Sequence, residues 1–280
     1  MLLASRRCPR SAVLLLLLVV LGPCWPLLAA QEFILLQSTT STQSSGLFDY
    51  LLPQFTAAHG IEVRVVAVGT GQALKNAAEG NADVVLVHAE AAEEAFVAAG
   101  HGLAREPLMY NEFIIVGPTA DPAAVAAARS ASEAMARIAD QRAVFLSRGD
   151  ASGTHDRERL LWQAAGVTID PAAAWYRDAG SGMDRTLRIA AEIDAYTLCD
   201  RASWVAAPYR GTLAVLVDDD PMLFNQYSLI VVNPARHPQA KIAAARTFVD
   251  WLRGPAGQAA IAAFQLHGTQ LYFPNAPAAP

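Results

Sequence analysis

Cysteine is scarce in this sequence, positive charge is in short supply, and no long hydrophobic run follows the first 30 residues. Each shortage removes a class of function. The three cysteines are Cys8, Cys24 and Cys199. The first two lie in a segment with the order of a secretory signal. Arg6, Arg7 and Arg10 give a basic start, Ala12 to Leu21 is unbroken and apolar, Gly22 and Pro23 break it, and Leu28-Ala29-Ala30 offers a cleavage site before Gln31. An apolar run of ten residues is half the ~20 that a membrane span needs, so residues 1–30 read as a signal peptide and not an anchor. Ser5-Arg6-Arg7 hints at twin-arginine export, but Pro9 stands where an apolar residue is usual, and Pro23 before Cys24 argues against lipidation. Cleavage leaves Cys199 alone, which excludes an intramolecular disulfide and a cysteine-rich metal site. The six histidines show no paired ligand spacing, so neither a metal cation nor a cofactor is expected.

Of the 21 Lys and Arg residues, three leave with the signal and none of the 26 Asp and Glu do, so the mature chain carries 18 basic against 26 acidic side chains, a balance of −8. That balance argues against nucleic acid as a partner. An anionic ligand would have to be held by local donors. With 280 residues, 53% hydrophobic and 17% charged, the chain can build one large domain or two modest ones. The mature protein is expected to be soluble, monomeric and periplasmic.

After the signal, strand and helix patterns alternate. Phe33 to Gln37, Ile61 to Val68 and Val84 to Val87 read as strands; Leu47, Leu51, Leu52 and Phe55 recur at helical spacing, as do Ile242, Ala245, Val249 and Leu252, and Gln72 to Glu79 is helix-like. Alternation of this kind argues for parallel sheets in an α/β fold. Ala123 to Ala139 reads as one alanine-rich helix. Two segments resemble each other: Asn111-Glu112-Phe113 leading to Gly117-Pro118, and Asn225-Gln226-Tyr227 leading to Asn233-Pro234. They are either two ordinary buried strands or two crossings between lobes. The second reading gives a discontinuous lobe 1, residues 31–113 plus 225–280, and a lobe 2, residues 114–224.

The chemistry concentrates at strand-to-helix junctions rich in Ser, Thr and Gly. They are Ser38 to Ser45, Gly69-Thr70-Gly71, Ser147 to Thr154 and, more weakly, Gly180-Ser181-Gly182. Singly, each is an ordinary helix cap or tight turn. Together, in an α/β sheet, such loops emerge at the carboxyl ends of the strands, where ligands bind. Helix N-terminal amides and hydroxyls make an anion site there, and Arg148 adds a guanidinium suited to oxyanions. Enzyme motifs fail. Gly69-Thr70-Gly71 lacks the third glycine of a dinucleotide fingerprint, and no second glycine precedes Lys75 as a phosphate loop requires. Gly149-Asp150-Ala151-Ser152-Gly153 has one residue too many for a nucleophile elbow, which leaves a secreted serine hydrolase using Ser152 and His155 as a remote alternative.

Several stretches carry a family resemblance: Thr39-Thr40-Ser41-Thr42, Val66 to Ala73, Ala82 to His88, Ser147-Arg148-Gly149-Asp150 with Ser152-Gly153-Thr154-His155, Ala195 to Leu198 with Asp200-Arg201, and Gln270 to Asn275. In these, in order along the mature chain, the sequence resembles the tungstate-binding periplasmic proteins of ABC-type uptake systems. The resemblance implies a two-lobed periplasmic-binding-protein fold of type II with two interlobe crossings, and capture of tungstate for delivery to an ABC permease. It implies ligand contacts from Thr39, Ser41, Arg148 and Thr154, with Gly69, Thr70, Gly71 and Ser152 as further contributors. Ser38 and Cys199 stand where the family commonly has Thr, which leaves a role for Cys199 open. Molybdate, phosphate and sulfate are the alternative oxyanions. A fully deprotonated anion asks for donors alone, whereas phosphate keeps a proton and benefits from an inward carboxylate, for which Asp150 is the candidate.

Overall fold

The computed structural model describes residues 31–277; the signal peptide expected over residues 1–30 lies outside them. The chain runs β1 (Phe33–Thr39), α1 (Thr40–Ser44), α2 (Leu47–His59), β2 (Glu62–Val68), α3 (Thr70–Ala78), β3 (Val84–Val87), α4 (Glu90–Ala98) and β4 (Glu106–Pro118). It continues through α5 (Ala131–Asp140), β5 (Phe145–Ser147), α6 (Gly153–Ala164), β6 (Tyr176–Asp178), α7 (Met183–Glu192), β7 (Thr197–Asp200), α8 (Arg201–Ala206) and β8 (Leu213–Val217). Then β9 (Phe224–Val231), α9 (Ile242–Arg253) and α10 (Pro255–Ala263) return to the starting sheet. Among the described residues no helix is long and apolar enough to cross a membrane.

Strands β1, β2 and β3 are parallel, with β1 between the other two. Their sheet continues through β9 and β4 to a short edge strand at Phe273–Pro274, and β9 runs antiparallel to both β3 and β4. The sheet is therefore mixed, where strand–helix alternation alone suggests a parallel one. β9 departs because it enters from the other half of the chain and not from a crossover helix. Strand β4 is long enough to serve two sheets. Its Glu106 to Glu112 stretch pairs with β9, while Phe113 to Pro118 pairs with β7 and β8. Strands β5 and β6 are parallel, and Tyr196, just before β7, bridges Phe145 in the same sense. Each sheet thus offers a set of parallel strands whose carboxyl ends carry the loops.

Packing follows from strand alternation. Val84 and Leu86 of β3 join Leu47, Leu51 and Phe55 of α2 and Phe248 and Leu252 of α9 on one face, while Val85 and Val87 meet Ala73 and Leu74 of α3 on the other. In the second sheet Phe113 and Ile115 pack with Met135 and Ile138 of α5, and Ile114 and Val116 with Leu187 of α7. Strands covered on both faces read as continuous apolar runs, which is why β3 and the Phe113 to Val116 stretch carry no polar residue.

The alanine-rich stretch is not one helix. It holds a short turn of 3-10 helix at Val125–Ala127 and then α5 from Ala131. The Asp121 carboxylate accepts from the amides of Val125 and Ala126, both at 2.9 Å, and Ser130 accepts from Glu133 N at 3.1 Å as the true N-cap of α5. Local side-chain acceptors outweigh the helical preference of alanine here. The two asparagine-led segments meet in space: Asn111 of β4 is the cross-strand partner of Asn225 of β9. The Asn225 amide donates to Asn111 Oδ1 at 2.6 Å.

Candidate anion-binding site

A small enclosed pocket lies where the two sheets face each other. Its walls from the first half are Thr39 to Ser41 after β1, Val68 to Thr70 after β2 and His88 after β3; from the second half come Arg148 after β5 and Ser152 to Thr154 at the start of α6. The free space is about 10 Å³ for the centre of a water-sized sphere, room for about one water. Every wall belongs to the carboxyl end of a strand or the start of a helix. A larger groove of about 1350 Å³ between α4 and α6 adjoins it, sharing His88 and Gly153, but its side chains are of mixed sign (Glu90 and Glu94 against Arg157 and Arg159) and do not converge.

The first-half loop is neutral. Thr39 caps α1, its Oγ1 accepting from Thr42 N at 3.4 Å and lying 3.1 Å from Ser41 Oγ and 2.8 Å from Thr42 Oγ1. Ser38 turns away and donates to the Leu86 carbonyl at 2.7 Å. Among the described residues, Thr70 Oγ1 is buried with no hydrogen-bond partner. Of eight such atoms among those residues it is the one that lines this pocket, and a ligand there would recover the ~1–3 kcal/mol that an unpartnered buried hydroxyl costs. Gly71 falls outside the pocket lining: a Cβ built on it would stand 3.5 Å from the Ala151 carbonyl, so it packs against the second-half loop.

The second-half loop carries the charge. Arg148 is buried, with Nε donating to Asp150 Oδ2 at 3.1 Å and to the Ser181 carbonyl at 3.0 Å, and Nη2 also donating to Asp150 Oδ2. That edge of the guanidinium is spent, which leaves Nη1 for an anion. Asp150 Oδ1 accepts from Ser152 N at 3.2 Å. Both carboxylate oxygens therefore face protein donors, and Asp150 orients Arg148; the inward acceptor that a phosphate site would want is not supplied by this residue. Gly149 has φ +58°, and a Cβ there would lie 2.9 Å from Asp178 Cβ, so no other residue fits. Ala151 adopts φ +51°, a left-handed conformation that non-glycine residues seldom take and that clusters at functional sites.

Under this loop Glu158 is buried, accepting from Ser147 Oγ at 2.8 Å, Tyr176 Oη at 2.8 Å and Trp162 Nε1 at 3.2 Å. Ser147 Oγ in turn accepts from Gly149 N at 3.1 Å. Burial pushes the Glu158 carboxyl above the usual range, against these hydrogen bonds and the pull of His155. The chain Glu158–Ser147–Gly149 fixes the backbone that presents Arg148.

Ser152 and His155 do not form hydrolase machinery. Ser152 Oγ caps α6, accepting from His155 N at 3.3 Å, and His155 Nδ1 accepts from Ala151 N at 3.1 Å. The ring braces the loop and is not the partner of the serine hydroxyl.

The model of the PBP superfamily domain matches residues 29–255. The chain belongs to that superfamily. It is 45% identical over 251 residues to a tungstate-binding protein TupA of Peptoclostridium acidaminophilum, covering 88% of this chain and 87% of the relative. A solved tungstate-binding protein TupA from Desulfovibrio alaskensis G20 matches with 47% identity and a TM-score of 0.76, over 88% of this chain and all of that one. The solved tungstate ABC transporter protein from Geobacter sulfurreducens matches with 45% identity and a TM-score of 0.77, over 84% of this chain and all of that one. The chain therefore stands among the tungstate-binding members of the PBP superfamily, with their two-lobed type II fold, and is a binding protein and not an enzyme.

In this superfamily member the pocket gathers Thr39, Ser41, Gly69, Thr70, Arg148, Ser152 and Thr154 around one space and leaves Gly71 behind its wall. Cys199 is fully buried among Ile114, Leu146 and Leu187, away from the pocket, and burial raises its thiol well above the usual range. Sequence reading passes over His88 as a site residue. It ends a fully buried strand, and an ionisable residue at the carboxyl end of a parallel strand is the signal that could have found it.

Proposed function

We propose that this chain is an exported, monomeric binding protein that holds tungstate between its two halves and delivers it to the permease of an ABC transporter, without a cofactor. The observation that carries this reading is the composition of the pocket wall. A buried, unpartnered hydroxyl from Thr70 faces the same space as the free end of Arg148, and the Asp150 carboxylate beside that arginine is turned to protein donors. A fully deprotonated tetrahedral anion finds donors on both sides: Thr39, Ser41 and Thr70 with the amides at Gly69 and Thr70, and Arg148, Ser152 and Thr154 with the first amides of α6. Each hydrogen bond to a charged group contributes about 1.5–3 kcal/mol, enough together to outweigh a net-negative surface. The relatives named as tungstate-binding support tungstate over molybdate, phosphate and sulfate.

The halves act as lobes, 31–113 with 225–280 and 114–224, and β4 and β9 are the crossings. An anion contacting both lobes favours the closed arrangement and stabilises it by the difference in its contacts between open and closed forms. Calorimetric titration of the mature chain with tungstate, molybdate, phosphate and sulfate tests the assignment. Tungstate should bind tightest; tungstate no tighter than phosphate would overturn it.

A further inference from the structure

His88 is the one wall residue that brings a titratable acceptor to the pocket, and the hinge fixes which of its nitrogens is free. Asn225 Nδ2 donates to Asn111 Oδ1 at 2.6 Å, so Asn225 Oδ1 is the atom that faces His88 Nδ1 at 3.0 Å. A carboxamide oxygen only accepts, so Nδ1 carries the hydrogen and Nε2 is left with a bare lone pair. The ring is stacked on Tyr227 at 4.6 Å between centroids and lies 6.2 Å from Phe113, so both crossing strands hold it. From the other half, Gly153 closes on it: a Cβ there would stand 3.1 Å from Cε1 and Nδ1.

Charged groups of both signs surround the ring. Asp200, at the start of α8, favours a protonated imidazole, while Arg148 in the loop after β5 and Arg157 on α6 oppose it. On the same stretch of α6 stand His155 and Asp156, and Glu90 opens α4 beside it. Desolvation is the largest influence and holds the free ring at about 4, hence neutral near pH 7. In that form the ring, which lines the pocket, has no second N–H to offer a dianion.

We propose that oxyanion binding here takes up one proton, which comes to rest on Nε2 of His88 and turns the last acceptor of the pocket wall into a donor. The inference rests on the oxyanion reading above. The dianion and one proton from solvent enter together; the anion itself stays deprotonated, and the imidazolium donates to one of its oxygens. Closure of Gly153 over the ring then seals the proton in with the ligand, and release of the anion returns it to solvent.

Tungstate titrations of the mature chain at pH 6.5, in two non-phosphate buffers of different ionisation enthalpy, test this. The expected result is an uptake close to one proton per tungstate and an affinity that falls toward tenfold per unit rise in pH. The ¹⁵N resonance of His88 Nε2 should move from the unprotonated to the protonated range on binding. His88→Gln should bind with the uptake abolished and with little pH dependence. Tungstate binding with equal heats in both buffers would overturn the proposal while leaving the oxyanion reading intact. Uptake without a change at Nε2, or uptake that persists in His88→Gln, would overturn it as well, by placing the proton elsewhere. Absence of any tungstate binding would remove the oxyanion reading and this inference with it. Should His88→Gln fail to fold, the two-buffer result and the ¹⁵N shift on the unaltered chain still decide.

Discussion

The β1–α1 loop and the β5–α6 loop occupy equivalent places at the carboxyl ends of strands in their own sheets, yet they meet the pocket with different chemistry. The first offers hydroxyls and no charge, and its cap, Thr39, is tied into a short local network with Ser41 and Thr42. The second presents a buried guanidinium, a carboxylate that orients it and two left-handed residues, Gly149 and Ala151, that bend the backbone around it. The difference shows how a net-negative chain can hold an anion. In the empty site, charge is confined to one loop and buttressed from beneath by Glu158, while the facing half is neutral and supplies direction.

The comparison breaks most sharply at Arg148. Arg148→Ala should weaken tungstate binding by about 100-fold or more, because two hydrogen bonds from a charged donor at ~1.5–3 kcal/mol each are lost. Equal affinity in a calorimetric titration would mean that the charged loop is not a ligand loop.

Neutrality of the first half has a pH signature. The folded His88 pKa, about 4, lies below its ordinary value of 6.5 because of burial, so the unfolded chain binds more protons between those values. Its contribution to stability is therefore present above pH 6.5 and lost as pH falls through 4, by up to ~3 kcal/mol. Urea unfolding of the unliganded chain across that window should show the loss, and His88→Gln should show less of it.

A smaller effect separates binding from folding. Thr70→Val keeps the shape of a side chain whose hydroxyl has no protein partner, so stability should hold or rise by about 1 kcal/mol while tungstate affinity falls about tenfold. Parallel losses in melting temperature and affinity would show that the hydroxyl serves the fold. The smallest effect is expected at Cys199, inside the second-half core. Cys199→Ser should leave affinity unchanged and lower stability by about 1–3 kcal/mol, since a hydroxyl would enter an apolar cluster.

Much of this was legible in the residues because the physics was local. The β3 run Val84 to Val87 can only be a strand covered on both faces, and the period of Leu47, Leu51 and Phe55 can only be a buried helical face. The likeness of the Asn111 and Asn225 segments was visible too, though not that they are cross-strand partners. What failed or stayed hidden depends on distant partners. Asp121 and Ser130 divide the alanine run through hydrogen bonds that composition does not reveal. Asp150 could have faced the ligand or Arg148, and only the fold decides. Gly71 sits in a ligand-like motif yet serves the contact with Ala151. His88 looks like the tail of a strand until Asn225, 137 residues further on, fixes its tautomer.

The central claim is that one anion is shared by a half that is neutral when empty and a half that is charged. A crystal structure of the mature chain with tungstate, with data collected at a tungsten absorption edge, tests it most directly. The account predicts one strong anomalous peak between Thr39, Ser41 and Thr70 on one side and Arg148 and Thr154 on the other, with oxygens in hydrogen-bond reach of both. A peak elsewhere, or one bound to a single half, would contradict it.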